Sequence, residues 1–161
     1  MRRVRKCVWT RLDPSRGVDQ GMIIYQLAIS LMAIAVTVTI QASLMLVAIG
    51  HIRRRSPRLT STLNRALVVI FIVIWFFLSI CLQCWAWAGL FLWVGALDPF
   101  EAALYFATVT FTTLGYGDIV LGPEWRLLGA FAATNGTIIM GWTTAIVFLA
   151  VERVYGVGSL R

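Results

Sequence analysis

Charged residues, histidines and cysteines are scarce in this chain of 161 residues. Charged side chains make up only 13% of it, against about 25% in soluble domains, whereas hydrophobic residues make up 60%. Cys81-x-x-Cys84 has no second cysteine pair and no histidine near it in the sequence, so it does not predict a zinc site, and three cysteines imply no disulfide framework. The sequence also lacks an HExxH motif and a nucleophile beside a candidate base. These absences argue against an enzyme or a metalloprotein, and we expect Cys81 and Cys84 to be small apolar side chains in a helix.

The net charge of +7 comes from two basic clusters rather than from a basic domain. Basic residues beside membrane segments set the topology and contact lipid headgroups, and no base-reading fold accompanies these. We therefore expect a lipid bilayer, and no nucleic acid, as a partner. The clusters are Arg2, Arg3, Arg5, Lys6, Arg11 and Arg16, and then Arg53, Arg54, Arg55, Arg58 and Arg65.

Three apolar runs, at 22–49, 66–97 and 126–151, are each long enough to cross a membrane. About 20 residues of helix span a hydrocarbon core of about 30 Å. The runs therefore predict an all-α membrane protein with three transmembrane helices. Polar residues within the first run predict contacts with other helices: Gln26, Thr37, Thr39, Gln41 and Ser43.

A short helix and an irregular segment are predicted between the second and third runs. Asp98 at the N-cap, Pro99 at the first helical position and Glu101 in the first turn predict a helix start. A helix over 99–111 would be about 20 Å long, too short to span the membrane. The segment TTLGYGD follows at 112–118. Because irregular backbone cannot face lipid, we predict a re-entrant loop.

The re-entrant segment has the composition of a cation-binding loop. Gly115 and Gly117 are free to adopt φ > 0, so successive carbonyls can point to the same side. The partly negative C-terminal end of the short helix would also favour a cation. Backbone oxygens are thus the predicted ion ligands, and no cofactor is expected.

The residues Thr113-Leu114-Gly115-Tyr116-Gly117-Asp118 resemble the potassium-channel signature, with leucine where valine is commonest. The resemblance is to small bacterial two-helix pores, with an extra N-terminal span. It implies K⁺ as the permeant ion, held by the carbonyls of residues 113–116 and by the Thr113 hydroxyl, with Gly117 completing the filter and Asp118 at the outer mouth. It also implies that Tyr116 is braced by Tyr105 or Phe106. An acid that pairs with this aspartate in several members is replaced by Val109.

The resemblance also implies roles on the last helix. Thr137, Met140 and Thr144 share one helical face and would line the cavity below the filter. Gly136 and Gly141 fall where related inner helices carry glycines, and they are either hinges or sites of close helix packing. Asn135 is expected to form a helix–helix hydrogen bond rather than to line the pore.

One chain supplies one filter strand, so the resemblance implies a homotetrameric pore. The expected location is the cell inner membrane, multi-pass, with a cytoplasmic C-terminus and without a soluble regulatory domain in the chain. The expected organisation is a basic tail at 1–20, an extra transmembrane helix at 21–50, a basic cytoplasmic loop at 51–65, a pore domain at 66–151 and a short cytoplasmic tail at 152–161. Within the pore domain, the outer helix is at 66–97, the pore helix at 99–111, the filter at 112–118 and the inner helix at 126–151.

Topology and selectivity stay open at this point. Three spans put the basic N-terminus outside, against the positive-inside rule. The conflict disappears if translation starts at Met22, or if residues 22–49 do not span. Two alternatives to a potassium-selective channel also remain, a weakly selective cation channel and a non-conducting structural or regulatory subunit.

Overall fold

Four helices make up the structure, a computed structural model that describes residues 20–55 and 62–155. In chain order they are α1 (Gln20–Arg55), α2 (Thr62–Trp93), α3 (Phe100–Phe111) and α4 (Arg126–Tyr155). Segments Gln20–Gly50, Thr62–Trp93 and Arg126–Glu152 are long and apolar enough to cross a membrane. The predicted all-α fold with three such helices is therefore confirmed. Most of the predicted N-terminal tail, the middle of the 51–65 loop and the end of the C-terminal tail lie outside the described residues.

The predicted 51–65 loop is wrong at both of its ends. Helix α1 continues to Arg55 and α2 already begins at Thr62. Arginine has a high helix propensity, so the basic residues that mark the edge of the hydrocarbon layer do not have to end the helix. The change of polarity locates the membrane boundary and not the helix boundary.

Helix α2 ends at Trp93, four residues before the predicted end. Gly95 adopts φ +69°, and its N–H donates to the Leu92 carbonyl at 3.0 Å, while the Ala96 N–H donates to Phe91 at 2.9 Å. These two bonds form a Schellman cap, for which a glycine with positive φ is the usual residue. The apolar run continues past the helix because Leu97 still packs against the core.

The start of α3 is shifted by one residue from the prediction. Pro99, rather than Asp98, occupies the N-cap position, and it has no side-chain capping bond. The first helical bond runs from the Ala103 N–H to the Pro99 carbonyl at 3.2 Å, and the Asp98–Pro99 peptide bond is cis. Only Glu101 acts as predicted, as an acid in the first turn.

Two apolar clusters hold the helices together. The larger cluster joins α2, α3 and α4, and it contains Trp87, Phe91, Ala107, Phe111 and Ile139. The smaller cluster joins α1, α2 and α4 and contains Ala48, Ile72, Phe76, Ile146 and Ala150. The short helix α3 is thus fixed by packing against both long helices of the predicted pore domain.

Helix α1 lies against α2 and α4 and runs parallel to α4. Thr37 contacts Asn135, and four residues later Gln41 contacts Thr143, so the residue numbers increase in the same direction along both helices. The N-terminal end of α1 is therefore at the same end of the bundle as Arg126, which closely follows the TTLGYGD segment. This arrangement agrees with three crossings of one layer and not with a first run that stays outside it.

Candidate ion-conduction site

The chain turns back across the end of α3 immediately after Phe111. Thr112 donates its N–H to Thr108 at 3.0 Å, and Thr113 donates to Thr110 at 3.1 Å. The N–H groups of Leu114 and Gly115 both donate to the Val109 carbonyl, at 3.0 and 3.2 Å. These bonds use carbonyls that a helix end leaves free, and they fix the first half of segment 113–118 to the C-terminal end of α3.

Every second residue of segment 113–117 has a positive φ. The angles are +60° at Thr113, +57° at Gly115 and +75° at Gly117, whereas Leu114 and Tyr116 are not among the described residues with positive φ. In an extended strand, neighbouring carbonyls point in opposite directions. Because the backbone of segment 113–117 alternates between left-handed and other conformations, its successive carbonyls can point to the same side of the segment.

Thr113 is the residue of this pattern that sequence reasoning missed. Glycine predicts positive φ by its lack of a side chain, whereas a β-branched residue in this region is a genuine outlier. Such a conformation costs on the order of 1–3 kcal/mol. It persists here because the Thr113 and Leu114 amides are both held by α3 carbonyls.

The Asp118 carboxylate is held by Tyr105, a contact that the sequence did not predict. The Tyr105 hydroxyl donates to Asp118 Oδ2 at 2.7 Å, and the Ile119 N–H donates to Oδ1 at 3.0 Å. The Tyr105 bond lowers the pKa of Asp118 below its usual range. The same bond is the largest cause of a raised pKa of Tyr105. The charged carboxylate and the neutral phenol are thus the favoured pair.

Tyr105 therefore has a different contact from the one expected. Its hydroxyl binds Asp118 rather than Tyr116, and the Tyr116 side chain is 68% exposed in the single chain. Bracing of Tyr116 by an aromatic residue of a neighbouring chain stays a prediction. Val109, which the resemblance aligns with an acid of several family members, lines a cavity of about 140 Å³ together with Gly115, Gly117 and Asp118.

The two candidate hinge glycines of α4 have different surroundings. A Cβ atom built on Gly136 would overlap the carbonyl group of Phe111, whereas a Cβ on Gly141 would meet no atom within 4 Å. Gly136 is thus a site of close packing between α4 and the end of α3. A hinge role of either glycine stays a prediction.

The predicted cavity-lining residues are accessible in the single chain. Thr137 and Thr144 are exposed and Met140 is half-buried. The hydroxyls of both threonines donate to carbonyls of their own helix, at 3.0 Å from Thr137 to Ala133 and 2.9 Å from Thr144 to Met140. Asn135, in contrast, is fully buried and bonds to α1, which confirms the predicted helix–helix contact.

Comparison with known proteins identifies the family. The sequence model of the family Ion_trans_2, described as "Ion channel", matches residues 66–153, which is more than half of the chain. The match begins within α2 and ends within α4, so it includes α3 and the TTLGYGD segment. No curated protein and no solved structure gives a significant match. The chain therefore belongs to this ion channel family, whose members transport ions, and α1 is an addition outside the matched region.

Proposed function

We propose that the protein is a potassium-selective channel that conducts dehydrated K⁺ through a filter built from residues 113–117. The observation that carries this proposal is the alternation of positive φ at Thr113, Gly115 and Gly117. Rings of backbone carbonyls can replace the hydration shell of K⁺, and such rings need several carbonyls of one strand on one side. Membership of an ion channel family supports a conducting role.

The proposed assembly is a homotetramer with the filter on its fourfold axis. One chain supplies one strand, and a ring of ligands around an ion needs several copies related by symmetry. All side chains of segment 113–118 are exposed in the single chain, including the large apolar side chains of Leu114 and Tyr116. Neighbouring copies would cover these side chains, with Thr137, Met140 and Thr144 facing the cavity below the filter.

The proposed location is the cell inner membrane, with the filter mouth outside and the C-terminus of α4 in the cytoplasm. Three helices are apolar and long enough to cross a membrane. The Arg53–Arg55 cluster at the end of α1 and the C-terminal end of α4 lie at the same end of the bundle, because the two helices are parallel. The positive-inside rule favours the cytoplasm for that end.

Ion flux from purified protein in liposomes tests the proposal. We expect K⁺ to pass and Na⁺ to be excluded, and we expect Gly117→Ala to abolish K⁺ flux. A Cβ at Gly117 would meet no atom within 4 Å, but φ is +75°, and left-handed backbone costs a non-glycine residue about 1–2 kcal/mol. The substitution therefore favours a turned peptide group between Tyr116 and Gly117, which in a homotetramer removes all four Tyr116 carbonyls from one ring.

Gly89→Ala is the matched control for this substitution. Gly89 lies within α2, and a Cβ there also meets no atom within 4 Å, but its φ is not positive. We expect normal flux from this variant. Equal permeation of Na⁺ and K⁺ would instead support a weakly selective cation channel, and no flux from the native tetramer would support a non-conducting subunit.

A further inference from the structure

The buried face of α1 is polar although the helix lies among apolar segments. Gln26, Ser30, Thr37 and Gln41 are all 0–2% exposed, and they lie at spacings of four and seven residues, which is one face of a helix. Thr39 and Ser43, which are exposed, bond only to carbonyls of α1 itself. Helix α1 is therefore joined to the rest of the protein by directional hydrogen bonds as well as by packing.

Gln41 is the centre of the larger bonded group. Its Nε2 donates to Thr143 Oγ1 on α4 at 3.0 Å. Its Oε1 accepts from Ser79 Oγ at 2.6 Å and from Gln83 Nε2 at 2.9 Å, both on α2. One buried side chain of α1 thus holds α2 and α4 at the same level of the bundle.

Thr37 forms a second bond between α1 and α4. Asn135 Nδ2 donates to Thr37 Oγ1 at 2.8 Å, and the Thr37 hydroxyl in turn donates to carbonyls of its own helix at 3.0 Å. Both partners are almost fully buried. Loss of the Thr37 oxygen would leave a buried amide donor without its partner, which costs more than the loss of a solvated bond.

The two contacts with α4 lie on either side of its central glycines. Asn135 precedes Gly136, and Thr143 follows Gly141 by two residues. Glycine weakens a helix and is a common place for a bend. Helix α1 is continuous opposite this segment, and α4 is continuous through it.

We infer that α1 keeps α4 straight between residues 135 and 143 through the hydrogen bonds of Thr37 and Gln41. We call this role of α1 a splint. A bend at either glycine moves Thr143 relative to Asn135, whereas the Thr37–Gln41 separation on α1 stays the same. Bending therefore breaks one of the two contacts. This inference rests on the proposed channel function, because a bend that carries the Tyr155 ends of four inner helices outward widens the passage below the filter.

Single-channel recording of Thr37→Val tetramers tests the splint. The substitution is nearly isosteric and removes the acceptor for Asn135. Interhelical hydrogen bonds in membranes contribute about 0.6 kcal/mol on average and at most about 1.7 kcal/mol. We therefore expect the open-to-closed ratio to rise by about threefold to about eighteenfold for each inner helix that bends on opening, with unchanged ion selectivity.

Thr39→Val is the matched control on the same helix. Thr39 also donates to a carbonyl four residues earlier, at 2.7 Å, but it is exposed and its hydrogen bond stays within α1. We expect its open-to-closed ratio to stay within about twofold of the native value. Equal ratios in Thr37→Val and Thr39→Val would overturn the inference.

A second pair of variants tests the splint from α4. Thr143→Val removes the acceptor for Gln41 Nε2, and Thr134→Val removes only a bond of 3.0 Å to Ala130 within α4. Only the first is expected to raise the open-to-closed ratio. An open-to-closed ratio of Thr143→Val that is equal to or lower than that of Thr134→Val contradicts the splint.

Amide hydrogen exchange separates failure of the splint from failure of the proposed function. Thr37→Val and Thr143→Val should increase exchange across residues 136–144 relative to the two control variants, whether or not the tetramer conducts. If the native protein passes no K⁺ but exchange increases in this way, the channel proposal fails and the mechanical splint stands. Unchanged exchange in both variants refutes the splint itself.

Discussion

At the scale of single residues, the alternation of backbone conformation along segment 113–117 is the main finding. The sequence predicted positive φ at Gly115 and Gly117, because only glycine adopts it without a steric cost. The same argument could not predict positive φ at Thr113, since its residue type opposes it. The conformation of Thr113 is imposed by the hydrogen bonds to the end of α3, which are visible only in three dimensions.

The contact between Tyr105 and Asp118 predicts a pH effect at the outer end of the segment. Because the pKa of Asp118 is lowered, its carboxylate stabilises the folded loop at neutral pH, and this contribution is lost as the pH falls through the lowered pKa. Tyr105→Phe removes the donating hydroxyl, so the pKa of Asp118 should rise towards its usual range and this pH-dependent contribution should become smaller. Carboxyl ¹³C NMR titration of Asp118 measures both values.

Tyr116→Phe is the control for this titration. It also removes a phenolic hydroxyl near Asp118, but in this protomer the Asp118 carboxylate accepts its phenolic bond from Tyr105. The Asp118 midpoint should therefore change much less in Tyr116→Phe. An Asp118 midpoint in Tyr105→Phe that equals the native one would show that the hydrogen bond does not hold the carboxylate in the assembled protein.

At the scale of helices, the type of each element followed from the sequence, but several contacts and ends did not. The apolar runs predicted three helices long enough to span, and Asp98, Pro99 and Glu101 predicted the start of a short fourth helix. The role of Gly95 as the cap of α2 was missed, because the apolar run continues beyond it. Polar residues predicted that α1 contacts other helices, yet only packing determines that Thr37 and Gln41 are buried and Thr39 and Ser43 are not.

The packing of α4 on α3 predicts opposite effects of alanine at the two inner-helix glycines. Gly136→Ala places a methyl group against the Phe111 carbonyl, and overpacking of this kind costs about 1–3 kcal/mol. Gly141→Ala has open space in the single chain, and alanine favours a helix by about 1 kcal/mol over glycine. Thermal unfolding in detergent should therefore show a lower Tm for Gly136→Ala and an equal or higher Tm for Gly141→Ala. A Tm that rises in both variants would mean that α4 does not pack closely on the end of α3.

At the scale of the whole molecule, a single chain shows the helices and segment 113–118 but leaves that segment exposed. The exposed side chains of 113–118 and the family match to an ion channel favour an assembly in which neighbouring copies cover them. Sequence reasoning also left the N-terminal side undecided, because two basic clusters gave opposite topology signals. The parallel packing of α1 and α4 favours three crossings, since it places α1 beside an inner helix that is itself long and apolar enough to span.

The position of permeant ions in the assembled protein tests the central claim most directly. We would determine the structure of the purified assembly in Tl⁺, a heavy analogue of K⁺, and locate the ions by their anomalous scattering. The account predicts four copies around one axis, with peaks on that axis between the carbonyls of Thr113 and Tyr116. The account would be contradicted if the 113–117 segments of the four chains lay apart from one another, or if the axis showed no ion peaks.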